Sequence, residues 1–273
     1  MGADTEISWA THTHNPWRGC TKVSSGCLNC YAEARDKRFE GGAHWGPYNP
    51  RIRATPDYLR QPYRWEAAAE RVGTRPRVFC ASLADVLDHQ APIEWRDDLW
   101  KTIWLTPHLD WLLLTKRPEN LAATLKRLHA KRGVAWAGPD HPNGWPNVWL
   151  GTSVEDQPNA DHRIPLLQGV PATVRFLSIE PLLGPIDLDQ AVRRDLGPIH
   201  WVIVGGESGP GARPMEWAWV RDIFAWCRRN GVAFHMKQAG RLQATPGDAK
   251  GTRWESIPPD LQYREFPGVV VHA

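Results

Sequence analysis

Short apolar runs alternate with helix-forming segments along most of the chain, and this alternation restricts the fold more than any other feature. The runs are bounded by turn-forming residues, as is typical of buried strands, and apolar residues recur at helical spacing between them. Predicted strands cover residues 7–9, 77–82, 110–114, 148–153, 173–178, 200–204 and 233–236. Predicted helices cover residues 30–39, 63–70, 94–105, 119–131, 161–167 and 215–229.

This alternation predicts a parallel sheet with helical crossovers. The sequence contains no GxGxxG or P-loop motif that would point to an open nucleotide-binding sheet. We therefore expect an α/β fold, a TIM-type or partial βα barrel with about six to seven parallel strands. We expect a single domain over residues 1–273, with an irregular tail from about residue 243.

Charged or hydroxyl residues follow each of the six predicted strands from 77–82 onward. In a βα barrel these positions gather at the carboxyl ends of the strands, where active sites lie. Carboxylates there suit ribose hydroxyls or an ammonium group, and lysine or arginine suits a carboxylate or phosphate. Taken singly, each residue is as well explained as a helix cap or a solvated turn; together they predict a polar pocket. The residues are Ser82, Asp85, Lys116, Arg117, Ser153, Glu155, Glu180, Glu207, Lys237 and Gln238. Arg213, after a glycine-rich segment at 205–211, is expected to point back into the same pocket.

Three of the five cysteines, Cys20, Cys27 and Cys30, lie in one loop at residues 15–31 with the spacing C-x6-C-x2-C. Their odd number and the absence of a preceding signal peptide argue against disulfides. Clustered thiolates favour zinc, copper(I) or an iron–sulfur cluster. Ordinary reduced thiols, or a redox pair formed by Cys27 and Cys30, are the alternatives.

The cysteine spacing does not identify the metal. A closed zinc site needs four ligands, and His12 or His14 would have to supply the fourth. A four-iron cluster held by three cysteines instead leaves one iron free for a small molecule. The loop runs into the predicted helix at 30–39, whose N-terminal N–H groups suit an anionic cluster.

Composition excludes few functions. The 273 residues carry a net charge of +3 with a pI of about 8.6, which permits a nucleic-acid partner without requiring one. No apolar run is long enough for a membrane span, and the reduced cysteines suggest a cytoplasmic protein. Buried packing roles are expected for Trp9, Trp17, Cys80 and Cys227. An irregular loop over 41–61 is expected to expose Tyr48, Arg51 and Arg53.

Several long stretches together resemble a known family. They are residues 15–24, 26–33, 114–119, 148–155, 175–185 and 201–214. In these the chain resembles the phage-associated three-cysteine-motif family, a domain of unknown function that looks related to radical S-adenosylmethionine (SAM) enzymes. The resemblance implies that Cys20, Cys27 and Cys30 ligate a [4Fe-4S] cluster whose open iron binds SAM. Radical SAM enzymes often carry Gly-Gly-Glu after an early strand, whereas here it ends at Glu207, after a late one.

The first hypothesis is therefore a radical SAM enzyme whose substrate is unknown, with a nucleic-acid base or nucleotide as the candidate. It would need an electron donor such as a flavodoxin or ferredoxin. Cofactor contacts are assigned to Ser82, Asp85, Lys116, Ser153, Glu155, Glu180 and Glu207. Substrate contacts are assigned to Arg117, Arg213, Lys237 and Gln238, with Arg51, Arg53 and Lys116 as further phosphate contacts.

Two other functions stay open. One is a non-radical iron–sulfur or zinc protein that binds nucleic acid or a protein partner. The other is a metal-independent barrel hydrolase that uses paired carboxylates from Glu155, Glu180 or Glu207.

Overall fold

The computed structural model of the chain describes residues 5–132 and 135–268. The strands are β1 (His12–Thr13), β2 (Trp17–Arg18), β3 (Ile52–Arg53), β4 (Arg77–Cys80), β5 (Asp110–Thr115), β6 (Val148–Ser153), β7 (Val174–Ile179), β8 (Trp201–Gly205) and β9 (Ala233–Gln238). The helices are α1 (Tyr31–Glu40), α2 (Pro56–Leu59), α3 (Gln61–Val72), α4 (Ile93–Trp104), α5 (Leu121–Arg132), α6 (Gln157–Gln168), α7 (Leu188–Ala191) and α8 (Trp217–Asn230).

Seven strands form one sheet in the order β1-β4-β5-β6-β7-β8-β9, and β2 and β3 form a separate antiparallel pair. The seven-stranded order follows the chain, and the pairs β1–β4, β4–β5, β7–β8 and β8–β9 are parallel. Strands β1 and β9 are the two edges, so the sheet is the partial form of the expected barrel. The prediction of an α/β fold with about seven parallel strands is confirmed.

The chain groups into two compact units. The first comprises residues 1–151 and 170–173, and the second comprises 152–169 and 174–273. The core of the first includes Val78, Trp111 and Leu112, which are fully buried, and the core of the second includes Val202 and Phe234. The single-domain organisation stays a prediction, and its parts at residues 1–4 and 269–273 lie outside the described residues.

Local sequence explains where the helices begin and end. Asp156 caps α6, because its side chain accepts a hydrogen bond from the backbone N–H of Asn159. Helix α1 ends at Gly41, whose φ of 66° is readily adopted only by glycine. Glu155 and Glu180 thus lie after their strands, whereas Ser153 is the last residue of β6 and Lys237 and Gln238 are the last two of β9.

Three predictions of local structure are wrong. The first strand lies at His12–Thr13 rather than at residues 7–9, which are turn. The predicted irregular loop at 41–61 contains β3 and α2. Within it Tyr48 and Arg53 are exposed as expected, but Arg51 is buried in an ion pair.

None of the described helices is long and apolar enough to cross a membrane. Cys80 and Cys227 are buried, as are Trp9 and Trp17.

Candidate metal and cofactor site

The backbone around Cys20 is fixed by two neighbouring segments of the first unit. The N–H of Gly19 donates to the carbonyl of Leu83 at 3.1 Å, and the N–H of Gly46 donates to the carbonyl of Cys20 at 2.9 Å. Gly19 has a φ of 102°, and a Cβ there would overlap the carbonyl oxygen of His44. Only glycine fits this position, so the path of the chain into Cys20 is set by its neighbours.

Two arginines hold Thr21, the residue after Cys20. Arg117 Nη2 donates to the Thr21 carbonyl at 2.8 Å, and Arg51 Nη2 donates to its hydroxyl oxygen, also at 2.8 Å. Arg51 in turn pairs with Asp88 at 2.7 Å, with both side chains fully buried. A buried ion pair cannot also contact a substrate phosphate, so the expected role of Arg51 in phosphate binding is wrong.

Arg117 also reaches the first cysteine. Its Nη1 donates to Cys20 Sγ at 3.6 Å and to Asp85 Oδ2 at 3.0 Å. Burial and, to a smaller extent, the charge of Asp85 raise the pKa of the Cys20 thiol to about 12, although the Arg117 cation opposes both. Arg117 therefore supplies the charge that a thiolate or metal-bound sulfur at Cys20 needs.

Asp85 holds the end of β5 in place. Its Oδ1 accepts from the Thr115 hydroxyl at 2.7 Å and from the Leu87 N–H at 2.9 Å. Its Oδ2 accepts from the Lys116 N–H at 2.9 Å as well as from Arg117. Four hydrogen bonds fill a carboxylate, so in this arrangement Asp85 positions Lys116 and Arg117.

Ser82 lies against the start of the cysteine loop. Asn15 Nδ2 donates to Ser82 Oγ at 3.0 Å, while the Leu83 N–H donates to Asn15 Oδ1 at 2.8 Å. The hydroxyl of Tyr31 donates to the Ser82 carbonyl at 2.6 Å. Sequence reasoning did not assign Asn15 and Tyr31 to the site, although both lie inside the stretches that carry the family resemblance.

Cys30 is the N-cap residue of α1. Burial raises the pKa of its thiol and the neighbouring Cys27 raises it further; hydrogen bonds from the backbone N–H groups of Glu33 and Ala32 and the charge of Lys116 oppose the increase. The thiols of Cys27 and Cys30 thus lie near each other, beside a helix N-terminus and a lysine. Both features favour negative charge on sulfur.

The described residues do not form a ready-made site for a single metal ion. Across residues 5–132 and 135–268, no three His, Cys, Asp or Glu side chains lie together as ligands of one metal. A zinc ion holds each sulfur at about 2.3 Å, which requires its ligands to converge on one point. In a [4Fe-4S] cluster each cysteine binds a different iron, so the cysteine sulfurs lie further apart than around a single ion.

The two histidines proposed as a fourth zinc ligand pack against aromatic rings. His12 stacks on Trp65 at a centroid distance of 4.3 Å, and His14 stacks on Tyr58 at 5.3 Å. His14 is 2% exposed, and burial lowers its pKa to about 3. A neutral imidazole is the form that binds zinc, but this one is held inside the packing of the first unit.

The second unit holds three acidic residues after its strands. Glu155 is fully buried, and Arg163 Nη1 donates to its Oε2 at 3.0 Å and to the Ser153 carbonyl at 2.8 Å. Sequence reasoning did not identify Arg163 as the partner of Glu155. Arg163 lies on α6, the helix that follows Glu155, and an arginine on the inner face of that helix was the available signal. This pair joins the end of β6 to α6.

Glu180 and Glu207 also have cationic or amide partners. Glu180 accepts from Lys237 Nζ at 2.5 Å and from Gln238 Nε2 at 3.2 Å. The backbone N–H of Arg213 donates to Glu207 Oε2 at 2.8 Å, and its guanidinium pairs with the same carboxylate. Arg213 therefore lies against Glu207, and its place in a substrate pocket stays a prediction.

The acids of the second unit share one region. Hydrogen bonding to Glu207 raises the pKa of Arg213, and the charges of Glu155 and Asp156 raise it further despite burial. The structure therefore brings Glu155, Glu207 and Arg213 close together, and joins Glu180 to Lys237 and Gln238. Their assignment to cofactor or substrate stays a prediction.

Together the fold and the site define an α/β protein with a parallel sheet and a three-cysteine loop at the carboxyl ends of its first strands. The chain belongs to the family described as protein of unknown function (DUF5131), whose model matches residues 4–263. This confirms the expectation of a family of unknown function, while the association with phages stays a prediction.

No curated protein matches the chain. Among solved structures it is similar to a spore photoproduct lyase mutant with bound AdoMet and dinucleoside spore photoproduct, with a TM-score of 0.43 and 12% identity over 84% of this chain and 64% of that one. A mutant with the dinucleoside spore photoproduct gives a TM-score of 0.44 and 13% identity, over 84% of this chain and 64% of that one. Another mutant gives 0.44 and 12%, over 88% of this chain and 60% of that one. The chain thus spans less than two thirds of these proteins, and TM-scores below 0.5 carry no argument about chemistry.

Proposed function

We propose that the chain is a radical SAM enzyme in which Cys20, Cys27 and Cys30 hold a [4Fe-4S] cluster with one iron open to SAM. The observation that carries the proposal is the hydrogen bond from Arg117 to Cys20 Sγ at 3.6 Å. It joins the cysteine loop to the end of β5, where a βα fold places its chemistry.

The charges around the thiols support an anionic group. A cluster bound by three thiolates carries negative charge, and burial in a protein makes that charge costly unless cations or N–H donors face it. Arg117 faces Cys20, while Lys116 and the start of α1 face Cys30. The ligands must lose their protons to bind iron, and these groups offset part of that cost.

Cys20, Cys27 and Cys30 would hold the cluster, which with SAM and one electron from a donor would supply reductive cleavage to methionine and a 5′-deoxyadenosyl radical able to abstract hydrogen. The residues of the chain hold the cysteine loop in place and orient the side chains around it. Gly19 and Arg51 fix the loop, and Asp85 positions Arg117. Among the residues that the sequence assigns to the cofactor, Ser82 packs against the loop through Asn15.

The residues of the second unit are proposed for recognition. Glu180, Lys237 and Gln238 form one hydrogen-bonded group, and Glu207 with Arg213 forms another. Carboxylates beside cations and amides suit ribose hydroxyls, an amino-acid group or a phosphate. Glu155 is fully buried against Arg163, so we propose a supporting role for it and for Ser153.

For the substrate we propose a nucleic-acid base or nucleotide, in keeping with a net charge of +3 and exposed basic residues. The electron is proposed to come from a small redox protein such as a flavodoxin or ferredoxin. A reducing cytoplasmic setting would keep the three thiols available.

The test is metal analysis of protein reconstituted without oxygen. We expect about four irons and four sulfides per chain, and loss of both in Cys20→Ala, Cys27→Ala and Cys30→Ala. Cys227→Ala is the matched control, because Cys227 is a buried thiol in α8 and should leave the iron content unchanged. Iron that survives removal of the three loop cysteines, or one zinc per chain, would overturn the proposal and favour the non-radical metal protein.

A further inference from the structure

A cavity of about 170 Å³ lies between α4 and α5 in the first unit. None of its lining residues belongs to the cysteine loop. Water occupies about 30 Å³ per molecule in the liquid, so the cavity has room for roughly five water molecules. That is enough space for a phosphate group. The charged and polar residues that line it are His89, Arg96, Asp97, Asn120, Thr124 and Arg127.

Arg96 brings into this cavity a buried N–H group that the described residues leave without an acceptor. Its Nε atom is buried and has no hydrogen-bond partner in the described part of the chain. Two nearby buried carboxylates are engaged elsewhere, because Asp88 pairs with Arg51 at 2.7 Å and Asp97 pairs with Arg127 at 3.0 Å. A buried donor without an acceptor is costly, and a bound anion would supply the acceptor.

Arg127 adds a second positive charge to the same cavity. Burial lowers the pKa of the Arg96 guanidinium and repulsion by Arg127 lowers it further, while the carboxylates of Asp88, Asp97 and Glu94 act in the opposite direction. Two guanidinium groups that repel each other across a cavity would both be stabilised by an anion between them. Paired N–H donors on each group match the oxygens of a phosphate.

The cavity also lies at the first turns of two helices. Ile93 begins α4, and Asn120 directly precedes the first residue of α5, with Thr124 in its first turn. Asn120 is anchored, since its side chain donates to the Leu87 carbonyl at 3.2 Å. Both helices are long enough for their N-terminal partial charges to favour an anion.

We propose that this cavity binds a phosphate group, held between Arg96 and Arg127, with Thr124 and His89 as further donors. Helix N-termini in βα units face the same side as the carboxyl ends of the strands, from which the cysteine loop also departs. The proposed source of the phosphate is the substrate. A polynucleotide as the source rests on the proposed function; the phosphate pocket itself does not.

The first test is the thermal unfolding of the full chain in phosphate and in chloride at matched ionic strength. We expect phosphate to raise the melting temperature of the unsubstituted protein, since a ligand that binds only the folded state stabilises it. Arg96→Gln should remove this increase, and a cooperative melting transition in chloride shows that the variant still folds. Arg193→Gln, an exposed arginine paired with Asp195, should keep the full response.

Two results would overturn the pocket. One is an equal response of the unsubstituted protein to phosphate and chloride; the other is a full phosphate response in Arg96→Gln. If Arg96→Gln fails to fold, Arg127→Lys serves instead. It keeps the charge but loses the forked geometry, and phosphate affinity should fall roughly tenfold.

The second test separates the sources of the phosphate. The affinities of a single-stranded oligonucleotide and of a 5′-mononucleotide are measured by fluorescence anisotropy over a range of salt. If the phosphate belongs to a polynucleotide, the double variant Arg96→Gln with Arg127→Gln should bind the oligonucleotide more weakly. The slope of the logarithm of the affinity against the logarithm of the salt concentration should then fall by about 0.7 for each phosphate that the variant no longer neutralises. Unchanged oligonucleotide binding together with abolished mononucleotide or phosphate binding would overturn the polynucleotide source. Neither result depends on iron content, so this inference and the proposed function can fail separately.

Discussion

The polar residues that follow the strands behave differently in the two units. In the first unit, the cations at the end of β5 face cysteine thiols, although Arg117 also pairs with Asp85 at 3.0 Å, and the buried Nε of Arg96 has no hydrogen-bond partner among the described residues. In the second unit, each strand-end acid has a cation: Glu155 with Arg163, Glu180 with Lys237, and Glu207 with Arg213. The same succession of strand and polar turn thus gives one region whose cations can face a bound anion. It also gives a self-neutralised region, in which each carboxylate pairs with a cation of the chain.

The largest expected effect is on the self-neutralised region. Glu155→Ala would leave Arg163 as a buried cation without its carboxylate, and we expect a loss of about 3–5 kcal/mol in unfolding free energy. Chemical denaturation measures this. Iron content should stay unchanged in the fraction that folds, because the thiols lie in the other unit.

The control for that substitution is Asp260→Ala, which breaks the exposed pair with Arg221 and should change stability little. A Glu155→Ala protein as stable as the control would show that the buried pair in the second unit is not structural.

The next effect tests the cysteine loop. Gly19→Ala would force a side chain into a backbone with a φ of 102° and against the His44 carbonyl, at a cost of roughly 1–3 kcal/mol or a displaced loop. We expect loss of both stability and bound iron, measured by thermal unfolding and iron analysis. Gly184→Ala is the matched control, since a Cβ at Gly184 meets nothing within 4 Å. Normal iron content in Gly19→Ala would mean that the ligands do not depend on this loop geometry.

Arg117→Lys should act on the metal more than on the fold. Lysine keeps the positive charge but cannot donate to Cys20, Asp85 and Thr21 at once. Loss of such a partner to a metal ligand typically costs 10–100-fold in affinity, and we expect iron to be lost to a chelator at correspondingly lower concentrations. If chelator titrations match those of the unsubstituted protein, Arg117 does not support the cluster.

The smallest effect concerns pH. The pKa of His14 is lowered by burial to about 3, from an ordinary value of 6.5. At pH 7 both folded and unfolded forms are neutral; below about pH 6.5 only the unfolded form takes up the proton, so stability falls as pH falls towards 3. From pH 7 to 5 this contributes a loss of about 2 kcal/mol. His14→Phe should remove that part of the pH dependence of unfolding, and an unchanged pH dependence would show that His14 is protonated in the folded protein.

Patterns local in sequence predicted the repeated part of the fold. Strand β6 has the predicted bounds because its residues are buried on both faces and read as a continuous run. The first strand was misplaced because Trp9 resembles a strand residue, yet it packs its ring on Phe79 at 4.4 Å from a turn. Strand β1 is short and polar, so its own residues give no strand pattern. Its extended conformation depends on pairing with β4.

The sequence supplied candidate residue types for the site, but it did not show how their side chains pair. Arg51, beside a proline and an asparagine, looks solvated, and only its distant partner Asp88 makes it buried. Asp85 was expected to contact a cofactor, but the structure fills its oxygens with hydrogen bonds that hold the next strand end. Such partnerships join residues far apart in sequence, and no local pattern encodes them.

The central claim is that the cysteine loop holds a cluster with one open iron. The direct measurement is the EPR spectrum of the reduced, reconstituted protein with and without SAM. The account predicts the signal of a reduced [4Fe-4S] cluster that changes when SAM is added, because SAM binds the iron that no cysteine occupies. A cluster signal that is identical with and without SAM would contradict it.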